Sequence, residues 1–290
     1  MPAYRCVPSR YGHSVEPLPN AEEISQHYKN AYYQDPTGQY RKSYDAAELA
    51  YFADRAGLAL DFAAAHGVKA GRAIDLGCGE GFFLKSALER GFEIFGVDHS
   101  PIGIERQNPD LPANAPENFQ FGDITAQRYF DGTQFELAYC KNVLEHVIDP
   151  AVVMQRIASY LSPGGIAIIE VPNDFSRLHT TAFGKAAYEE LPIFIPPVHL
   201  HYFTTSTLPD LVRSLGLSVL DGYADYPIDH LLLEDAFNYY GNKALGPAAH
   251  SLRRKFFRYT ADLDAATRLS LYRSLFKAGL GRDICVVIRL

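Results

Sequence analysis

The stretch Ala73-Ile74-Asp75-Leu76-Gly77-Cys78-Gly79-Glu80-Gly81-Phe82-Phe83-Leu84 carries the reading of the whole chain. Ala73 to Leu76 is an apolar run with the length of a short buried strand. Phe83, Leu84, Ala87 and Leu88 then fall at helical spacing. Between the two stand three glycines at alternate positions. Strand, glycine turn and helix is the layout of a nucleotide-cofactor loop, where a Cβ would hold the backbone away from the ligand.

A dinucleotide loop reads Gly-x-Gly-x-x-Gly and seats a pyrophosphate on the helix N-terminus. Gly77 and Gly79 match its first two positions, but Phe82 stands at the third. Asp75 precedes the loop and Glu80 lies inside it, and two carboxylates would repel a pyrophosphate. They suit a ligand that presents an ammonium and a sulfonium. Asp98 closes a second apolar strand (Ile94 to Val97), 21 residues after Gly77, where an acid accepts hydrogen bonds from ribose hydroxyls. With these residues the chain resembles the class I S-adenosylmethionine-dependent methyltransferases, whose first motif is an acid followed by Gly-x-Gly-x-Gly. A nicotinamide oxidoreductase is disfavoured by Asp75 and Phe82.

The resemblance implies S-adenosyl-L-methionine as cofactor and S-adenosyl-L-homocysteine as product. It implies a cofactor site built from Asp75, Gly77, Cys78, Gly79, Asp98 and His99. After the third strand (Phe119 to Phe121), relatives use an acid to accept from the adenine amino group, with the next residue on the ring; here these are Asp123 and Ile124. Lys141 and Asn142, at the end of the fourth strand, complete the set. Val143-Leu144-Glu145-His146-Val147, then Asp149-Pro150, then Ser162-Pro163-Gly164-Gly165 resemble the branch of ubiquinone-biosynthesis and surface-polysaccharide-cluster methyltransferases. His199-Leu200-His201-Tyr202-Phe203-Thr204 resembles the same branch, with His201 where those relatives often carry Asn. The resemblance covers roughly residues 45 to 225 and the last strand.

Composition sets the outer limits. A net charge of -7 argues against a broad nucleic-acid footprint, which would be basic. Four cysteines (Cys6, Cys78, Cys140, Cys285) include no Cys-x-x-Cys pair, so neither a zinc ribbon nor a disulfide framework is indicated. No run approaches the ~18 apolar residues of a membrane span. The expectation is a cytoplasmic enzyme with a small-molecule partner, no nucleic acid and no membrane, for which a homodimer is compatible.

Strands alternating with helices predict an α/β fold, a doubly wound seven-stranded, mostly parallel sheet. The family resemblance adds an antiparallel last strand, Ile284 to Leu290. Ser162 to Gly165 reads as a turn ahead of the fifth strand. Residues 1–42 read as an N-terminal arm or flap, 43–225 with 281–290 as the cofactor-binding domain, and 226–280 as a helical insertion. Within the insertion Arg253, Arg254, Lys255 and Arg258 read as a solvated face, with an anion-binding site as the alternative. Asn238 to His250 resembles an insertion of polysaccharide-cluster methyltransferases.

For the chemistry, a hydroxyl acceptor needs a base, and His199, His146 and His201 stand in loops that should face the pocket. His199 and His201 are expected on one side of an extended segment, with Tyr202 on the other. Tyr28, Tyr32, Tyr33 and Tyr202 are the expected acceptor contacts. The function expected is methyl transfer to a hydroxyl of a sugar or glycan precursor. The alternatives are N- or C-methylation of another metabolite, or an inactive cofactor-binding subunit. In some relatives the positions of Glu145, His146 and His199 hold a divalent ion. No required metal is expected here, because Asn142 stands where a further carboxylate would.

Overall fold

The structure is a computed structural model and describes residues 4–20, 22–24 and 43–290. Tyr28, Tyr32 and Tyr33 lie outside the described residues. The chain begins with a hairpin of β1 (Arg5–Ser9) and β2 (Gly12–Glu16). Helix α1 (Ala46–Ala65) follows, started by Asp45, whose carboxylate accepts from the Glu48 amide at 2.7 Å. The alternation comes next: β3 (Gly71–Leu76), α2 (Phe82–Glu89), β4 (Phe92–Asp98), α3 (Ile102–Gln107), α4 (Asp110–Asn114), β5 (Phe119–Phe121) and β6 (Phe135–Lys141). Then run α5 (Pro150–Tyr160), β7 (Leu161–Pro172), α6 (Arg177–Phe183), β8 (His201–Tyr202), α7 (Thr207–Ser214) and β9 (Ser218–Ala224). Helices α8 (Gly246–Ala261) and α9 (Ala265–Lys277) precede the last strand, β10 (Asp283–Arg289).

Seven strands form one sheet in the order β5-β4-β3-β6-β7-β10-β9. Strands β3 to β7 pair in parallel, and β10 enters antiparallel, Ile284 lying opposite both Val171 and Ala224. Helices cover both faces, so central strands must be apolar on both sides; Ile284, Val286, Val287 and Ile288 are fully buried. On one face Phe62 of α1 stacks on Tyr223 of β9, ring centroids 4.0 Å apart. On the other face Met154 and Ile157 of α5 pack against Ala138, Cys140 and Ile169.

Three local features differ from the sequence reading. Ser162 to Gly165 is not a turn ahead of a strand but a bulge within β7. Leu161 pairs with Phe135 and Ile166 with Leu137, so β6 holds the strand on both sides of the four residues. Arg253 is not on a solvated face; its side chain is mostly covered and pairs with the buried Asp225 and Asp283. Burial of those acids is what draws it in, since a buried charge needs a partner. Residues 5–16 form a second, three-stranded sheet with β8, in which Ser14 pairs with His201 and His13 with Tyr202.

Candidate active site and cofactor cradle

The chain leaves β3 toward β4 and β5 on one side and returns to β6 and β7 on the other. That reversal opens a crevice at the carboxyl ends of the strands. A cavity of about 1010 Å³ occupies it. Every residue assigned to the cofactor lines this cavity: Asp75, Gly77, Cys78, Gly79, Asp98, His99, Asp123, Ile124, Lys141 and Asn142.

The glycine loop is locked from both ends. The Gly77 and Cys78 amides donate to the Val97 carbonyl at 2.8 and 3.0 Å. Gly79 N–H donates to Asp98 Oδ2 at 2.9 Å, and Ser100 N–H to Asp98 Oδ1 at 3.1 Å. Gly77 has φ +87°, and a Cβ there would lie 2.5 Å from Val143 Cγ2, so the position admits only glycine. Asp75 is buried, and its Oδ1 has no hydrogen-bond partner. Burial, then the nearby Asp98, pushes its pKa well above the usual carboxylate range. An orphaned carboxylate oxygen on a cavity wall fits a cationic donor such as an ammonium. Glu80 is already engaged, because both of its oxygens accept from Tyr44 Oη at 2.9 Å. Asp123 Oδ1 accepts from the Thr125 amide and hydroxyl, each at 2.7 Å, which fixes that acid at the β5 end of the cavity.

Below the loop lies a buried charge cluster that the sequence reading missed. Arg55 lines the cavity and donates to Glu170 and to Asp283, the latter at 2.9 Å. Lys141 Nζ lies 3.3 Å from Glu170 Oε1. The one sequence signal for Arg55 is its place on the buried stripe of α1, one turn after Tyr51 and beside Ala56 and Ala59. Anionic and cationic groups at the same end of the cavity suit a zwitterion, so these residues fit the amino-acid end of S-adenosylmethionine.

The three histidines separate. His146 lines the cavity, and its Nδ1 is bonded to the Val198 carbonyl at 2.7 Å. Burial, then His199, lowers its pKa to about 3, which makes it a poor proton acceptor. His199 stands behind it, ring centroids 4.8 Å apart and edge to face. Its Nδ1 is 3.7 Å from Asp174 Oδ2, and Arg282 holds Asp174 at 2.6 Å. His201 does not face the cavity: it is buried, Nδ1 against Ser14 Oγ at 2.8 Å and Nε2 against the Ile148 carbonyl at 3.2 Å. Tyr202 is likewise buried, among Phe175, Phe194 and Val15, and its hydroxyl donates to the His199 carbonyl at 3.3 Å. Neither lines this cavity. The chain turns over Ile195 to His199, where the Val198 and His199 amides both donate to the Ile195 carbonyl. It is paired as a strand only over His201 and Tyr202, so His199 and His201 do not share a side.

Glu145, His146 and His199 bring their ligand atoms within 4.8 Å of one another. Glu145 is buried, neither of its oxygens has a hydrogen-bond partner, and burial pushes its pKa well up. The remaining wall is apolar, formed by Val143, Val147, Ile148 and Val152 with the stacked pair Phe52 and Phe82. Asp149 anchors the N-terminal hairpin to this wall, accepting from Tyr11 Oη at 3.0 Å and pairing with Arg10 at 3.3 Å.

Comparison with known proteins agrees with this geometry. A ubiquinone biosynthesis O-methyltransferase of Aeromonas salmonicida is 29% identical over 157 residues, 52% of this chain and 64% of that protein. One from Marinobacter nauticus is 27% identical over 206 residues, 67% of this chain and 81% of the relative. The chain thus spans just under two thirds of the length of the first relative. A solved S-adenosylmethionine-dependent methyltransferase from Clostridium acetobutylicum shares the fold with a TM-score of 0.50 at 10% identity, covering 93% of this chain and 98% of that one. The methyltransferase domain family matches residues 59–221, more than half of the chain. With that match, the locked glycine loop and the acids that follow it, the chain belongs to the class I S-adenosylmethionine-dependent methyltransferase family.

Proposed function

We propose that this protein transfers a methyl group from S-adenosylmethionine to a hydroxyl of a small molecule, with a sugar or glycan precursor as the acceptor. The observation that carries the reading is the cavity wall itself. Asp75, Asp98 and Asp123 follow one another along it, and the glycine loop between the first two is held against Asp98. The named O-methyltransferase relatives support oxygen as the atom methylated. An apolar strip (Val147, Ile148, Val152) beside His146 and Asp149 supports a hydroxylated ring that shows one apolar face. A cytoplasmic setting belongs to the same reading, supported by four free thiols, three of them buried.

When bound, S-adenosylmethionine supplies an electrophilic methyl group on a sulfonium. The residues of this chain hold and orient the reactants, and positioning is the larger part of such a displacement. In this reading Asp98 takes the ribose, Asp123 and Ile124 the adenine, and Asp75 with Arg55 the amino-acid end. The base assigned to the proton of the acceptor hydroxyl is His199, which stands behind His146 on the cavity wall. His146 reaches the cavity, and His199 Nδ1 lies 3.7 Å from Asp174 Oδ2. A base of this kind typically contributes ~10²–10⁴ in rate. The test is His199→Ala at saturating cofactor, with nucleotide sugars and small phenols as acceptors. Turnover should fall at least about a hundredfold with cofactor affinity unchanged; a variant that keeps most of its turnover removes His199 from the mechanism.

A second reading is favoured by one observation. Glu145 leaves two buried oxygens without a partner beside His146 and His199, a donor set that suits a divalent cation bound to the acceptor oxygen. Both readings require His199, and chelation separates them.

A further inference from the structure

Helix α8 reaches the cavity floor through a single carboxylate oxygen. Asp283 Oδ2 accepts from Arg253 of α8 at 2.6 Å and from Arg55 of α1 at 2.9 Å. Arg55 lines the cavity, whereas Arg253 stands one residue deeper, against Asp225. The side chains of Arg55, Arg253 and Asp283 are 12%, 13% and 11% exposed, so little water screens the arrangement. Arg55, Arg253 and Lys141 face Glu170, Asp225 and Asp283, and the cluster closes with equal numbers of each sign. Without Arg253 two of these acids would compete for Arg55 and pull it off the floor, since a buried carboxylate demands a partner.

The two ends of the cavity differ in chemistry. Acids that suit a nucleoside, Asp98 and Asp123, sit at the β4 and β5 side. Asp75, with its unpartnered oxygen, stands near the end of β3, and Arg55 lines the same cavity beside Glu170 of β7 and Asp283 of β10. The second end offers both signs of charge, which is what an α-amino acid group needs.

We propose that Arg253, carried in by the helical segment ahead of β10, is a positioning residue for the amino-acid end of the methyl donor. Through Asp283 it fixes the Arg55 guanidinium on the cavity floor. The proposal rests on the cofactor reading given above. It gives that segment a part in cofactor recognition without any contact to the cofactor itself. The remaining contacts of α8 agree with such a part, since His250 and Arg258 pair with Glu48 and Asp54 of α1 at 3.0 and 3.2 Å and hold the helix that carries Arg55.

The experiment compares S-adenosylhomocysteine with 5′-methylthioadenosine, which lacks the amino-acid group, by calorimetry on the full chain. Two variants are used: Arg253→Lys, which keeps the charge but not the fork, and the pair Arg253→Gln with Asp225→Asn, which removes one charge of each sign. Asn at 225 can still accept from the Arg282 and Asp283 amides, as Asp225 Oδ1 does at 2.8 Å, so the double variant keeps the backbone bonds of that turn. The double variant should bind S-adenosylhomocysteine at least tenfold more weakly and methylthioadenosine within threefold of the parent. Arg253→Lys should fall between parent and double variant for the first ligand only. Unchanged binding of S-adenosylhomocysteine, or parallel loss of both ligands, overturns the proposal in favour of a merely structural Arg253. If the double variant does not fold, the same two outcomes for Arg253→Lys decide. A parent protein that binds neither ligand removes the cofactor reading itself, a result distinct from any behaviour of the variants.

Discussion

Asp98 Oδ2 accepts a 2.9 Å hydrogen bond from the Gly79 amide, so the acid proposed for the ribose and the glycine loop are one mechanical unit. The acid that ends β4 therefore has two duties, one toward the ligand and one toward the loop that shapes the ligand's site. Its second oxygen is committed to the Ser100 amide, which leaves the carboxylate little freedom to turn.

Asp98→Ala should weaken S-adenosylmethionine binding by tenfold or more. Each charge-assisted hydrogen bond lost is worth roughly 1.5–3 kcal/mol, and the loop loses its tether as well. Asp98→Asn keeps an acceptor for Gly79 and should fall between the two. Calorimetry checks this, and an alanine variant that binds as tightly as the parent would place the ribose elsewhere.

Gly77 and Gly91 share a φ of +87°, yet a Cβ at Gly77 meets Val143 Cγ2 at 2.5 Å while one at Gly91 meets nothing within 4 Å. The pair separates backbone strain from collision. Gly91→Ala should lose about 1–2 kcal/mol of stability from the left-handed conformation alone. Gly77→Ala should lose more and also cofactor affinity, because Val143 lines the cavity. Tm and binding measured on both variants decide; equal effects would mean that the loop gives way without strain.

His201 supplies a dependence on pH. Burial lowers its pKa to about 4, below the ordinary histidine value of 6.5, so the unfolded chain takes the proton first. The stability it contributes is complete above pH 6.5 and is lost progressively as pH falls toward 4, to a limit of roughly 3 kcal/mol. His201→Asn can still bond to Ser14 and to the Ile148 carbonyl, and it does not titrate. Urea unfolding at pH 7.5 and at pH 5 should show a smaller loss for the variant than for the parent. The comparison cancels the acid sensitivity of His146, which both proteins retain. Equal losses would mean that His201 is not held neutral between the hairpin and the Ile148 carbonyl.

Exhaustive chelation should leave turnover unchanged if His199 takes the proton without a metal. Asn142 adds no charge where a second anionic ligand would stand, and burial pushes the Glu145 pKa up, which disfavours the charged form a hard cation prefers. Loss of activity that a divalent ion restores would select the cation reading. Turnover before and after dialysis against chelator is the measurement.

Much of the site was legible because it is local. Asp75, the glycines and Asp98 stand at strand ends and on a turn whose geometry depends on neighbours in sequence, so their place on the cavity wall is legible before any tertiary contact is known. The alternation of apolar runs with helical periods likewise carries the sheet, since a strand covered on both faces has to be apolar throughout. His201, Tyr202 and Arg253 were misplaced for the opposite reason. Whether a histidine faces a cavity depends on a turn at Ile195 to His199 and on a hairpin nearly 190 residues away, Ser14 being separated from His201 by 187 positions. Arg253 resembled a surface charge because nothing near it in sequence shows that Asp225 and Asp283 are buried beside it.

By itself the sequence determined the doubly wound sheet, the cofactor loop and the acids along it, because backbone conformation and strand burial are written in short-range patterns. Only the tertiary structure decided which histidine reaches the cavity and which is a brace, and that Arg55 and Arg253 meet on one carboxylate. The burial of a charge, and therefore its partner and its proton, is a property of the packed molecule and not of any stretch of the chain.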